Sequence, residues 1–183
     1  MKVLLACPFK DQQTGIYIHS TLVQLGHKVA YYDWREVTQQ HGIAEMNRGF
    51  IDIVTRLTPD ITIICKGLGL TPETINTARA ANNGKPIVGW IFDVTLGGIY
   101  VKDSKPYINF IKSLDKFYTI DEEAVLELKA LGVNADYAPE GCFPPIMGEQ
   151  VINSYQKRQF GSDIVFVGSV GSIHTNREKI LKR

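Results

Sequence analysis

What this sequence lacks narrows its class before any motif is read. It has only three cysteines, Cys7, Cys65 and Cys142, far apart and in no C-x-x-C pair. That spacing argues against a zinc ribbon or a redox dithiol motif, and the odd count against a disulfide scaffold. Cys7 and Cys65 end apolar runs, where a buried thiol is the default. Charge of one sign is also missing: 20 Lys and Arg stand against 19 Asp and Glu, a formal net charge of +1. No basic stripe offers a footprint for nucleic acid. No apolar run reaches the ~18 residues of a membrane span, and Met1–Ala6 is too short for a signal peptide before Pro8 interrupts it. The expectation is a cytoplasmic protein without a membrane span. There is no internal repeat, no low-complexity segment and no Asp-x-Asp.

What is present is an alternation. Lys2–Ala6, Lys28–Tyr32, Asp60–Cys65, Pro86–Phe92, Lys116–Ile120 and Ala135–Ala138 are short runs rich in β-branched and aromatic residues. Near-continuous apolar runs of this kind suit strands covered on both faces. Helical patterns lie between them, over 14–26, 45–57, 71–83, 105–113 and 122–131. Strand–helix alternation implies βαβ units, so the expected fold is α/β, a Rossmann-like, doubly wound, mostly parallel sheet. Punctuation agrees: Thr14 as a cap for the first helix, Gly26 where it ends, Thr71-Pro72 opening the third, and Thr119 to Glu122 as a capping box closed by Gly132.

From Pro139 to Pro145 the chain cannot continue a helix or a central strand. The organisation read from this is a first domain over 1–145 and a linker over 146–162, with one weak helical pattern near 149–157. A strand at Asp163–Val167 then begins a second α/β domain, and a helix is expected after Thr175. On this reading residues 163–183 are the first βα unit of a domain that the chain leaves unfinished.

Open α/β sheets hold ligands at the carboxyl ends of their strands, which sets the candidates. Asp93 ends the fourth predicted strand, where a carboxylate either orients or deprotonates a hydroxyl, or merely caps the following loop. Lys66 and Gly67 end the third, beside a helix whose amino end would face the crevice; a simple tight turn is the plain alternative. Gly67-Leu68-Gly69-Leu70 lacks the third glycine of a dinucleotide fingerprint. Thr14 and Gly15 close the long polar loop after the first strand, which matches neither that fingerprint nor a P-loop. Asp33 ends the second strand where a ribose-binding acid would sit, but reads better as a solvated loop residue. Gly168, Ser169, Gly171 and Ser172 form a plausible pyrophosphate cradle with Arg177 in the helix behind it; a plain Gly/Ser turn is the alternative. The four histidines form no metal constellation. His19 reads as a surface residue, and His174 lies beside the Gly/Ser loop.

Three phrases together resemble a known family. Leu22-Val23-Gln24-Leu25-Gly26-His27-Lys28-Val29 resembles the end of the first helix in many GT-B glycosyltransferases. Ile63 to Gly67 followed by Thr71-Pro72-Glu73-Thr74, and then Val88 to Asp93, resemble the spore-maturation CgeB-like glycosyltransferases. Asp163 to Ser169 with Arg177 resembles the start of that family's second domain. The resemblance implies two facing Rossmann-like domains. The first binds the acceptor, here through Thr14, Gly15, Lys66 and Gly67. The second binds the sugar nucleotide, here through Gly168, Ser169, Gly171, Ser172 and Arg177. It adds that GT-B enzymes often carry an acidic residue or histidine at the position of Asp93, which makes Asp93 the catalytic candidate. The sugar nucleotide is then a substrate, with no resident cofactor and no metal, in keeping with the missing Asp-x-Asp. A non-catalytic small-molecule or partner-binding module of the same fold is the alternative. A flavodoxin-like regulatory domain is disfavoured, because Pro8 and Phe9 stand where a receiver domain carries acidic residues.

Overall fold

The computed structural model describes residues 1–10, 14–93, 105–141, 151 and 153–162. The chain divides into two compact units, Met1–Phe143 and Pro144–Arg183. In the first unit six parallel strands form one sheet in the order β2-β1-β3-β4-β5-β6. They are β1 (Lys2–Ala6), β2 (Lys28–Tyr32), β3 (Ile61–Cys65), β4 (Ile87–Ile91), β5 (Lys116–Thr119) and β6 (Ala135–Tyr137). The helices are α1 (Thr14–Gln24), α2 (Trp34–Leu57), α3 (Pro72–Ala81), α4 (Lys105–Lys112) and α5 (Glu122–Ala130). The expected doubly wound α/β fold is therefore what the sequence forms.

Register explains the two-sided burial of the strands. Leu4 and Ala6 pair with Thr62 and Ile64, and all four lie fully or almost fully buried on one face. That face carries the main core, in which Met46, Phe50 and Val54 of α2 meet Ile75 and Ala78 of α3, Phe110 and Ile111 of α4, and Leu128 of α5. Leu5 and Cys7 point the other way, with Cys65 and, from α1, Ile18. Gly89 has a packing reason: a Cβ there would lie 2.6 Å from a methyl of Leu114 and 2.9 Å from the Phe117 ring.

The ends of the helices follow their chemistry. Gly26 takes φ +81° and closes α1 through amide bonds from Gly26 to Val23 and from His27 to Leu22, a left-handed glycine stop. Thr71 caps α3 and Pro72 takes its first turn. Two expectations need correction. The cap of α5 is Asp121, which accepts from the Ala124 amide, whereas the Thr119 hydroxyl accepts from the Asp121 amide. The second helix begins eleven residues before the expected 45, at Trp34, and is broken internally at Gly42 (φ 85°, ψ 170°), a conformation open essentially to glycine alone.

In the second unit the described element is a short helix, α6 (Ser154–Phe160). Asn153 accepts from the Gln156 amide while the Gln156 side chain accepts from the Asn153 amide, both at 2.9 Å. This reciprocal box places the helix later than the weak pattern at 149–157. The expected strand at 163–167 lies outside the described residues.

Candidate functional site

The sheet order sets the place. The chain runs from β1 outward to β2 and then returns past β1 to β3, so connections leave β1 and β3 in opposite directions. Ligand crevices open at the carboxyl ends of strands at such a reversal. A cleft of about 250 Å³ lies there, lined by Cys7, Pro8, Thr14, Arg35, Cys65, Lys66 and Phe92. These residues end or follow β1, β3 and β4 or open α1 and α2. Two helix amino ends therefore converge on the cleft, each bringing the positive end of its dipole.

Lys66, in the cleft lining, forms an ion pair with Asp93 at its rim. The Lys66 ammonium lies 2.6 Å from Asp93 Oδ2. That oxygen is shielded from solvent and, among the described residues, receives no directed hydrogen bond, so the ammonium is its counter-charge without being an aligned donor. The two residues reach each other because β3 and β4 are neighbours with Cys65 opposite Trp90. Lys66 holds φ +64°, a left-handed backbone that costs a side-chain-bearing residue roughly 1–2 kcal/mol. The Lys66 amide donates to the Trp90 carbonyl and its own carbonyl accepts from the Tyr107 hydroxyl at 2.8 Å. The strained turn is thus held from β4 and from α4.

Of the predicted acceptor-side residues, Thr14 and Lys66 line the cleft. The two glycines serve its walls. A Cβ on Gly15 would meet the Pro8 carbonyl at 2.4 Å and Cys7 Sγ at 3.1 Å, so Gly15 lets α1 start directly against the end of β1. Gly67 (φ +71°) faces the core, where a Cβ would lie 2.7 Å from both Ile64 and Phe110, and its amide is spent on the Cys65 carbonyl. The amino end of α3 is also committed, with the Thr71 amide bonded to Asn47 and the Thr74 amide to Thr71. It borders a separate depression with Lys105 and Asn109. Gly168, Ser169, Gly171, Ser172 and Arg177 lie outside the described residues.

Asp33 is not the solvated loop residue expected. It is buried, and its carboxylate accepts from the amides of Phe9, Arg35 and Glu36. It caps α2 and ties the β1 loop to it, which leaves no free edge for a ribose. Arg35, missed by the sequence reading, enters the cleft from the first turn of α2 with its guanidinium 5.4 Å from the Trp34 ring. The sequence signal was Asp33 followed by Glu36 three positions later, a helix-start pattern. His19 packs edge-on to Phe9 and Tyr31 beside the cleft and is not part of its lining.

Cys7 and Cys65 both line the cleft and belong to one buried cluster beneath it. The neighbouring Cys7, and burial after it, hold the Cys65 thiol well above its ordinary pKa. Among the described residues no group of His, Cys, Asp or Glu is arranged to hold a metal ion, and no helix is long and apolar enough to cross a membrane. Comparison with protein families and with curated proteins finds no match for this chain.

Proposed function

We propose that this chain is the acceptor-side portion of a GT-B-type, metal-independent glycosyltransferase that moves a sugar from a sugar nucleotide to an acceptor hydroxyl. The observation that carries the reading is the Lys66–Asp93 pair at the carboxyl ends of adjacent central strands, beside a cleft at the sheet's reversal point. In this reading the acceptor enters the cleft and Thr14 and Arg35 hold its polar groups. Asp93 orients the attacking hydroxyl and takes its proton as the new glycosidic C–O bond forms. The bond from the anomeric carbon to the diphosphate breaks in the same step. Lys66 fixes the carboxylate so that one oxygen is committed and the other, part of a side chain 41% exposed, is left for the acceptor. Residues Gly168 to Ser172 and Arg177 receive the diphosphate on the donor side.

The test is sugar-nucleotide turnover by the protein encoded by the full gene, over UDP, GDP, ADP and dTDP sugars, with Asp93→Asn as the comparison. Turnover that falls by roughly 10²–10⁴ in the variant, with nucleotide affinity kept, is the expected result. Absence of nucleotide binding and turnover across the panel would overturn the reading. The second reading, a non-catalytic binding module, is favoured by one feature: the carboxylate already carries a counter-ion at 2.6 Å. Ligand binding that Asp93→Asn leaves unchanged, without turnover, is its signature.

A further inference from the structure

The sequence excludes a C-x-x-C dithiol, yet the fold assembles a cysteine pair from residues 58 positions apart. Leu5 of β1 pairs with Ile63 of β3 and Ala6 with Ile64. Cys7 and Cys65 are the next pair along, on the same face as Leu5 and Ile63 because side chains alternate along strands. Neighbouring strands lie about 4.8 Å apart, inside the window of about 4.4–6.8 Å between Cα atoms that a disulfide spans. The two thiols belong to one small buried cluster on that face. Both residues are almost wholly buried, at 3% and 1% exposure, yet both line the cleft. A small solute entering the cleft therefore reaches sulfur that a bulky reagent does not.

The two sulfurs are not equivalent. The neighbouring Cys7 sulfur, and burial after it, hold the Cys65 thiol well above its ordinary pKa. Cys7 Sγ also sits against the first turn of α1, in the space that a side chain on Gly15 would fill, 3.1 Å from where its Cβ would lie. The positive end of a helix dipole thus faces the Cys7 sulfur, the setting in which cysteine nucleophiles are found.

We propose that Cys7 and Cys65 form a peroxide-oxidisable pair on the floor of the cleft, Cys7 attacking and Cys65 resolving. Cys7 sulfur attacks one oxygen of hydrogen peroxide. The O–O bond breaks, Cys7 becomes a sulfenic acid, and the departing hydroxide takes a proton and leaves as water. Cys65 sulfur then attacks Cys7 sulfur. The S–S bond forms, the S–O bond breaks, and a second water leaves with the Cys65 proton. Two thiols and one peroxide give one disulfide and two waters, and a thiol reductant reverses the change. The product ties β1 to β3 at the base of the cleft. This proposal stands apart from the transferase reading and survives its failure.

The experiment treats the folded chain with near-stoichiometric hydrogen peroxide, quenches it, unfolds the chain in denaturant with an alkylating agent that blocks every remaining thiol, and maps the peptides by mass. Wild type and Cys142→Ser should each lose two titratable thiols and two hydrogens and yield a Cys7–Cys65 linked peptide that dithiothreitol separates. Cys65→Ser should accumulate a sulfenic acid on Cys7, trapped by dimedone present during unfolding, and Cys7→Ser should leave Cys65 reduced. Cys7 and Cys65 still alkylated in treated wild type, or a disulfide only through Cys142, would overturn the proposal. So would dimedone on Cys65 in preference to Cys7. The wild-type peptide map decides the matter even where a variant folds poorly, and a thermal melt of each variant identifies those cases.

Discussion

The Tyr107 hydroxyl on α4 donates to the Lys66 carbonyl at 2.8 Å, on a residue whose backbone is left-handed. The bond links the helix after β4 to the turn that aims Lys66 at Asp93. Replacing Lys66 by glycine removes the charge and relieves the backbone. The left-handed turn then no longer opposes a side chain, a gain of about 1 kcal/mol. The shielded Asp93 oxygen loses its counter-charge, so the net change should stay within about 1 kcal/mol of wild type. Tyr107→Phe keeps Lys66 but frees its carbonyl, with an expected loss of about 1–2 kcal/mol. Chemical denaturation of both variants checks the comparison: near wild type in the first, lower by about 1–2 kcal/mol in the second.

Two left-handed glycines separate strain from collision. At Gly26 (φ +81°) an added Cβ meets nothing within 4 Å, whereas at Gly67 (φ +71°) it meets Ile64 and Phe110 at 2.7 Å. Gly26→Ala should cost about 1 kcal/mol, from backbone conformation alone. Gly67→Ala should cost roughly 2–4 kcal/mol, since the core must also give way. Equal midpoints in a denaturant titration would mean that the Gly67 turn yields more easily than its packing suggests.

Asp33→Ala removes a helix cap and leaves the Phe9 amide without its carboxylate partner at 2.7 Å. The expected destabilisation is about 1–3 kcal/mol, and hydrogen exchange should quicken in the first turn of α2 and at Phe9 together. Exchange that changes in α2 alone would show that the loop after β1 is held by other contacts.

Tyr32 gives a pH dependence of known sign. Burial, helped by the charge of Asp52, pushes its phenol up to about 12, and the hydroxyl donates to the Met46 carbonyl at 2.7 Å. Unfolded tyrosine ionises near 10. Between those values the unfolded chain releases a proton that the folded chain keeps. The stability from Tyr32 is therefore full below pH 10 and is lost as pH rises toward 12. Tyr32→Phe should be less stable than wild type at neutral pH by about 1 kcal/mol. It should also show a shallower alkaline loss, by roughly 1–3 kcal/mol over that window. Parallel alkaline curves for the two proteins would rule this out.

The elements that sequence reasoning placed well are those whose signals are local. Apolar runs such as Lys2–Ala6 and Lys28–Tyr32, Thr71-Pro72 at the start of α3, and Gly26 and Gly132 at helix ends are decided within a few residues of chain. The first half of α2 carries no such signal, because Gly42 resets the helix and Thr38 to His41 before it are polar, so no single apolar stripe runs through it. Asp33 ended a strand and started a helix at once, and only the helix role explains its burial. Lys66 and Asp93 were identified one at a time, as strand ends. Their contact, like that of Cys7 with Cys65, depends on which strands are neighbours, and strand order is a property of the assembled sheet. Gly67 was legible as a special backbone position, but not the side it turns to the core.

The break at Gly42 also solves a problem of phase. Trp34 and Met46 both belong to the main core, the first before the break and the second after it. On one unbroken α-helix, residues twelve apart point about 120° away from each other, and the two could not face the same sheet. The glycine supplies the missing rotation. A relative of this protein that replaced Gly42 with a helix former could keep both contacts by losing one residue between Trp34 and Met46, which would bring them to within about 20°. Conformation and length are interchangeable at this point in the chain, and an alignment that treats such a one-residue gap as a loop deletion would misread a change of helical pitch.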